Sequence, residues 1–259
     1  MARVRNAANF KAMTIGRMSE MPKLEEVLEG AEITYGTRSE TKETYRVKTY
    51  ARMFGISREA LINDDLDAFS DTLQAFGLAA AQTEADLIAN LLLDNDGLGP
   101  VLDDGLTLFA NARGNKGISA SAMTISSVSA GRKALRDHKG LDNETPLSLT
   151  PQYLVVGSGN ETTAEQIIAA TTPSETDEVN PFSGKLSLLV EPRLENDAWR
   201  LFASPDQGPI LEIAYLNGVQ QPKLETRESC DTLGTEFRAI LDFGCGITGW
   251  RGAYLNEGS

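Results

Sequence analysis

Residues 32–57, "EITYGTRSETKETYRVKTYARMFGIS", restrict the fold more than any other stretch of this 259-residue chain. Thr, Tyr and Val alternate with charged residues for too long to be helical, which predicts a two-stranded ribbon. On its returning strand Tyr45, Val47, Thr49 and Ala51 share one face, Arg46, Lys48, Tyr50 and Arg52 share the other, and the tip "GTRSETKE" is wholly polar. A two-stranded ribbon with so little apolar surface is not stable alone in water, so it must lie on something else.

After the ribbon the period changes. Leu66, Phe69, Leu73, Phe76, Ala80, Leu87 and Leu91 recur at helical steps, which predicts one long helix of about 28 residues. Asn63, Asp64 and Asp65 offer its N-cap, and "DNDGLGP" stops it. Beyond Gly117 the texture turns to a Ser-capped helix with Val128, Ala134 and Leu135 inward. "PQYLVVGSGNETTAEQIIAA" follows, a buried strand turning into a helix capped by Thr162 or Thr163. Short strands then fall in "KLSLLVEPRL", "AWRLFAS" and "ILEIAYLN", split by Pro192, Pro205 and Pro209. A second domain is expected to begin near Gly117.

Hydrophobic residues make up 41% of the chain, enough for a real core in one large domain or two ordinary ones. No run of 18 apolar residues and no apolar signal region occur, so neither a membrane span nor a secretory leader is expected. The net charge of −13 is uneven: residues 1–58 hold eleven Lys/Arg against seven Asp/Glu, a local +4, which leaves −17 for the remainder. Residues 1–19 carry Arg3, Arg5, Lys11 and Arg17 with no acid, an arm suited either to phosphates or an acidic neighbour, or simply to solvent. The acidic body disfavours tight nucleic-acid binding, because it repels phosphates.

The C-terminal "DFGCGITGWRGAYLNEGS" contains G-x-G-x-x-G from Gly244 to Gly249 and the triplet Asp242-Phe243-Gly244. A dinucleotide site would need a helix, a second strand and an acid about 20 residues on, and only ten residues follow Gly249. A kinase-type Asp would need a Gly-rich loop, a strand lysine and a catalytic loop upstream. Instead Phe237, Ala239, Leu241 and Phe243 alternate with Arg238 and Asp242, the pattern of a half-buried strand. Its glycines then mark bulges or a close neighbouring backbone. Gly157-Ser158-Gly159 reads as a strand-to-helix turn rather than a phosphate loop, since no third Gly or Lys follows. Asp94, Asp96 and Gly97 fail as a calcium loop, which would place Leu98 and Gly105 where oxygen ligands are required.

One histidine, His138, and two cysteines, Cys230 and Cys245, form neither a zinc set nor a disulfide framework. His138 is expected at a helix end, complementing the dipole as a charged imidazole. Cys245 is expected to be a small buried residue. The residues call for no cofactor, no metal and no catalytic group.

The order of arm, projecting ribbon, long helix, inserted α/β region and returning strand resembles the major capsid protein of tailed bacteriophages, the HK-97-like fold. The resemblance covers nearly the whole chain. It is carried by "TYRVKTYARMFGISREALINDDLDAF", "LIANLLLDNDG", "DGLTLFANARGN", "LVEPRLENDAWRLFA" and "DFGCGITGWRGAYLNEG", the last four closest to the Mu-like branch. It implies an α+β fold with an N-terminal arm at 1–31, an extended loop at 32–56 and a peripheral domain with the spine helix at 57–117. An axial domain at 118–220 and returning strands of the peripheral domain at 221–259 complete it.

The implied function is a non-enzymatic head protein that self-assembles, as hexamers and pentamers, into the icosahedral shell around double-stranded DNA. Its place is the virion, assembled in the host cytoplasm. Its partners are a portal, and scaffold, protease or decoration proteins, with weak DNA contact and no membrane. The inter-subunit contact candidates are Arg3, Arg5 and Arg17 in the arm and Arg38, Lys42, Tyr45, Arg46 and Lys48 in the ribbon. Ribbon and arm, lacking a core of their own, would find their partner surface on the next copy, so deleting residues 34–50 is expected to leave a folded chain defective in assembly. Some relatives weld their shells by a lysine-to-asparagine isopeptide bond. Lys42 is the matching lysine, but no Asn occurs from Gly218 through Leu255 to meet it. The competing readings are an HK-97-like nanocompartment shell and a cytosolic hydrolase using Cys245 or Cys230 with His138.

Overall fold

The computed structural model describes residues 2–18, 40–63, 72–141, 144–169, 185–194, 196–228 and 233–259. The strand expected from Phe237, Ala239, Leu241 and Phe243 is the organising element, β10 (Gly234–Ile247). Along one edge it pairs antiparallel with β4 (Lys48–Ser57), from Gly234↔Ser57 to Phe243↔Lys48. Along the other it pairs first with β9 (Lys223–Glu228) and then, from Phe243 onward, with β8 (Leu211–Leu216), both antiparallel. The N-terminal strand β1 (Arg3–Ala7) closes this five-stranded sheet, parallel to β8.

Arm and ribbon are joined to one another as well. β2 (Met13–Met18) pairs antiparallel with β3 (Glu40–Tyr45), from Met13↔Tyr45 to Met18↔Glu40. The outgoing strand of the hairpin expected across 32–56 lies outside the described residues, while Glu40–Tyr45 pairs with β2 and Lys48–Ser57 with β10. Glu40–Glu43, assigned to a polar tip, are strand residues facing the arm, and the remaining tip, with Arg38, lies outside the described residues. The expected face of Tyr45, Val47, Thr49 and Ala51 also breaks. Tyr45 and Val47 are buried, whereas Thr49 and Ala51 are exposed and Tyr50 is half-buried. The chain leaves β3 at Arg46, crosses β10 and restarts as β4, and the change of pairing partner shifts the alternation. Nor is the arm without a core: Ala7, Ile15, Tyr45, Val47 and Ala214 form a small buried cluster.

A second sheet runs in the order β11-β7-β5-β6, with β5 (Pro151–Val156) parallel to β6 (Ser187–Val190). β7 (Trp199–Ala203) lies antiparallel to both β5 and β11 (Ala253–Asn256). The expected boundary at 220 does not divide the sheets: β8 precedes it yet belongs to the first sheet, and β11 follows it yet belongs to the second. Among the described residues four helices attach: α1 (Arg58–Ile62), α2 (Thr72–Gly97), α3 (Ile125–Asp137) and α4 (Glu161–Ile168). Asn63, expected to open the long helix, instead closes α1, while Leu66 and Phe69 lie outside the described residues. The stop at "DNDGLGP" is a kink, with Asp94 extended and Asn95 and Asp96 left-handed.

α3 is capped by Thr124, whose hydroxyl accepts from the Ser127 N–H while Ser127 Oγ accepts from the Thr124 N–H. This reciprocal box satisfies two donors that a helix start leaves open, so the cap is Thr rather than Ser. α4 starts after Asn160, with no side-chain cap from Thr162 or Thr163. α3 and α4 cover one face of the second sheet through Val128, Leu135, Ala164 and Ile167 against Trp199 and Leu201. The opposite face, with Val155, Phe202 and Leu255, shares a core with Leu92, Leu108, Leu211 and Ile247 and so joins the two sheets.

Candidate functional site

Arm, ribbon and main sheet meet at one crossing, and the side chains of Arg5 and Tyr45, both expected to make contacts, come together there. The parallel pairing of β1 with β8 sets Arg3 opposite Glu212 and Arg5 opposite Ala214. Glu212 is only 2% exposed, and Arg5 Nε lies 2.5 Å from its Oε1, a close charge pair off hydrogen-bond alignment. A carboxylate at that depth needs a cation, and the arm supplies it. The Tyr45 ring packs above β10. Its hydroxyl has no hydrogen-bond partner, and its pKa is pushed up to about 12, by burial first and then by the Glu212 charge.

The crossing exists because of Gly244 and Gly246. A Cβ at Gly244 would stand 2.6 Å from the Arg46 carbonyl oxygen and 2.9 Å from Val47 Cα, and one at Gly246 would stand 2.6 Å from Tyr45 Cβ. The glycines that imitate a nucleotide motif are the places where residues 45–47 lie directly on β10. Between them Cys245 is partly buried, and burial pushes its thiol up to about 11. At that pKa the thiolate is scarce near neutral pH.

Of the other expected contact residues, Arg38 lies outside the described residues and four are spread over the surface. Arg3, Lys42, Arg46 and Lys48 are exposed, Lys42 within β3 opposite Gly16 and Lys48 opposite Phe243. Arg17 stands in β2 opposite Thr41. The structure thus gathers Arg5 and Tyr45 around a buried acid that sequence reasoning missed. The one available signal was Glu212 itself, a lone charge inside the apolar run "ILEIAYL".

His138 does end α3, but as a buried neutral ring rather than a charged one. Its Nδ1 accepts from the Gly252 N–H at 3.3 Å, its ring stands edge-on to Trp250, and burial and then Arg251 lower its pKa to about 4. Its partners are thus Gly252 and Trp250, whereas Cys245 packs beside Tyr215, Leu241 and Phe243. Cys230 lies outside the described residues.

Beyond the crossing, β4, β9 and the first half of β10 form a three-stranded blade. Register places Arg238 beside Glu225 and Glu236 beside Arg227 on one face, both as ion pairs. The other face carries Phe54, Phe237 and Leu224, with Phe54 46% exposed; on the ion-paired face Met53 is 54% exposed. A blade with apolar side chains open to solvent is unusual on an isolated subunit.

A family model described as phage capsid protein matches residues 40–256. Among curated protein sequences nothing matches the chain. Among solved structures, the chain is similar to the capsid of Ralstonia phage GP4, with a TM-score of 0.68 and 9% identity over 100% of this chain and 87% of that one. It is also similar to the capsid of Cyanophage P-SCSP1u, with a TM-score of 0.62 and 12% identity over 100% and 86%. A virus-like particle from Pyrococcus furiosus matches with a TM-score of 0.53 and 11% identity over 99% and 90%. At such identities the likeness is one of fold, the HK-97-like capsid fold.

Proposed function

The chain belongs to the phage capsid protein family, and from that premise we propose that it is a major head subunit of the Mu-like branch. In this reading it self-assembles as hexamers and pentamers into an icosahedral shell around double-stranded DNA, in the host cytoplasm and without catalysis. A portal, and scaffold, protease or decoration proteins, are its partners. Arg3, Arg17, Arg38, Lys42, Arg46 and Lys48 meet neighbouring copies, while Arg5 and Tyr45 anchor the arm and ribbon that carry them.

The observation that carries the reading is the match over residues 40–256 together with a fold likeness that spans the full chain. The open apolar side of the blade supports it, because that surface is buried once copies pack. An acidic body facing packaged DNA lets the polymer move without sticking. The likeness to an archaeal virus-like particle favours one second reading, a compartment shell of the same fold. Negative-stain microscopy of the purified protein, with nuclease-treated particles assayed for DNA and for protein cargo, tests both. Closed particles with DNA are expected; protein cargo alone points to the compartment, and a lone 28.0 kDa species at every concentration rejects both.

A further inference from the structure

Between the end of α3, the turn at Asn111–Arg113 and Trp250 lies a cleft of about 630 Å³ lined by Asp104, Arg113, Lys133, His138, Lys139 and Trp250. Two of these side chains are buried with N–H donors that meet no acceptor. Arg113 is 8% exposed; its Nη2 donates to Asp104 and to the Leu106 carbonyl, which leaves Nε and Nη1 unpartnered. His138 is 4% exposed, and because Nδ1 accepts from Gly252 the ring proton sits on Nε2, which also has no partner. Buried donors are rarely left open in native proteins, and each such group calls for an explanation. The Trp250 ring covers them in part, with the Arg113 guanidinium 5.3 Å from its centroid and Arg251 at 4.3 Å. A ring shared by two guanidiniums is a weak substitute for an oxygen acceptor.

Charge points the same way. Arg113 is paired with Asp104 and Lys133 with Asp137, while exposed Lys139 has no ion pair among the described residues. The open positions are all donors and the unbalanced charge is positive, which selects an oxyanion. A phosphate polymer would meet Asp104 and Asp137 at the rim. A single carboxylate asks for fewer contacts than a polymer, and a chain with 37 acids against 24 bases presents many. We propose that the cleft receives an Asp or Glu side chain from a neighbouring copy of this chain, held by Lys139 at the mouth and by Arg113 and His138 once Trp250 turns aside. The inference rests on the assembly reading above.

A zero-length carbodiimide crosslink on a mixture of unlabelled and 15N-labelled full-length chains tests it, with light scattering on the same sample. Mixed-label linkages from Lys139 or Lys133 to an acid outside the cleft are expected, and Lys139→Gln should weaken association about threefold, the scale of an exposed charge pair. An assembled sample whose cleft lysines link only within their own copy overturns the cleft proposal and leaves assembly standing. A monomer at every concentration rejects the assembly reading, and the proposal with it. Protection of Lys139 by added DNA, or an inorganic-phosphate titration that changes tryptophan emission in wild type but not in Trp250→Phe without mixed-label linkage, would give the cleft to phosphate instead.

Discussion

Single residues carry constraints here that their local context hides. Gly244 has no room for a methyl group because its neighbours are the backbone of Arg46 and Val47, which cannot rotate away as a side chain could. Gly244→Ala should therefore cost about 1–3 kcal/mol, read as a lower denaturant midpoint. His138 titrates in the other sense from an ordinary exposed histidine. Its folded pKa is about 4 against 6.5 for the free group, so on acidification the unfolded chain takes the proton first. Stability is then full above about pH 6.5 and falls toward about pH 4, by up to about 3 kcal/mol. The difference between wild type and His138→Gln in urea unfolding at about pH 7 and about pH 4.5 isolates this share. A wild type whose loss is no steeper than the variant's would place a charged ring at this site.

At the scale of elements, the arm strand β1 is fastened through Arg5 onto buried Glu212. Arg5→Gln leaves that carboxylate without its cation and should destabilise by about 1–3 kcal/mol, the pair being partly solvent-exposed. Glu212→Gln in the Arg5→Gln background should recover part of the loss, because the second change removes the orphaned charge. Equal, additive losses in the double-mutant cycle would mean that the pair is not coupled. The pairings of the ribbon predict a different outcome from that of a detachable loop. Removing residues 34–50 takes away β3, the partner of β2, and the first residues of β4, including Lys48↔Phe243 of the main sheet. The expected result is a misfolded, protease-sensitive chain, and a cooperatively melting monomer would restore the detachable loop.

For the whole molecule, the proposed assembly can be tested for covalent joints between copies. Lys42 lies in β3, flanked by Glu40 and Glu43, and the stretch from Gly218 to Leu255 contains no Asn. An isopeptide bond needs an asparagine acceptor, and that stretch supplies none. Assembled particles boiled in detergent should therefore run as one 28.0 kDa band. A ladder of multimers would reveal covalent joints through other residues. The blade of β4, β9 and β10 should then become protected from amide exchange on assembly, since its apolar side chains are open in the single chain.

Much of this was legible in the residue order. Period-2 alternation in 237–243 and the apolar runs of β5, β7 and β8 fix strands locally, because side chains on one face of a strand must find a core. The order of elements was enough to suggest the capsid fold. Pairing was not legible. Nothing in "ETKETY" names β2 as its partner, since any strand edge satisfies the same backbone hydrogen bonds, and it is the packing of Ile15 and Tyr45 against Val47 and Ala214 that favours this one. The crossing over β10, the arm's hold on Glu212 and the buried ring of His138 all join residues more than a hundred positions apart. Such contacts depend on where the completed sheets bring the chain together, and that is decided by the global packing of the core rather than by any local pattern.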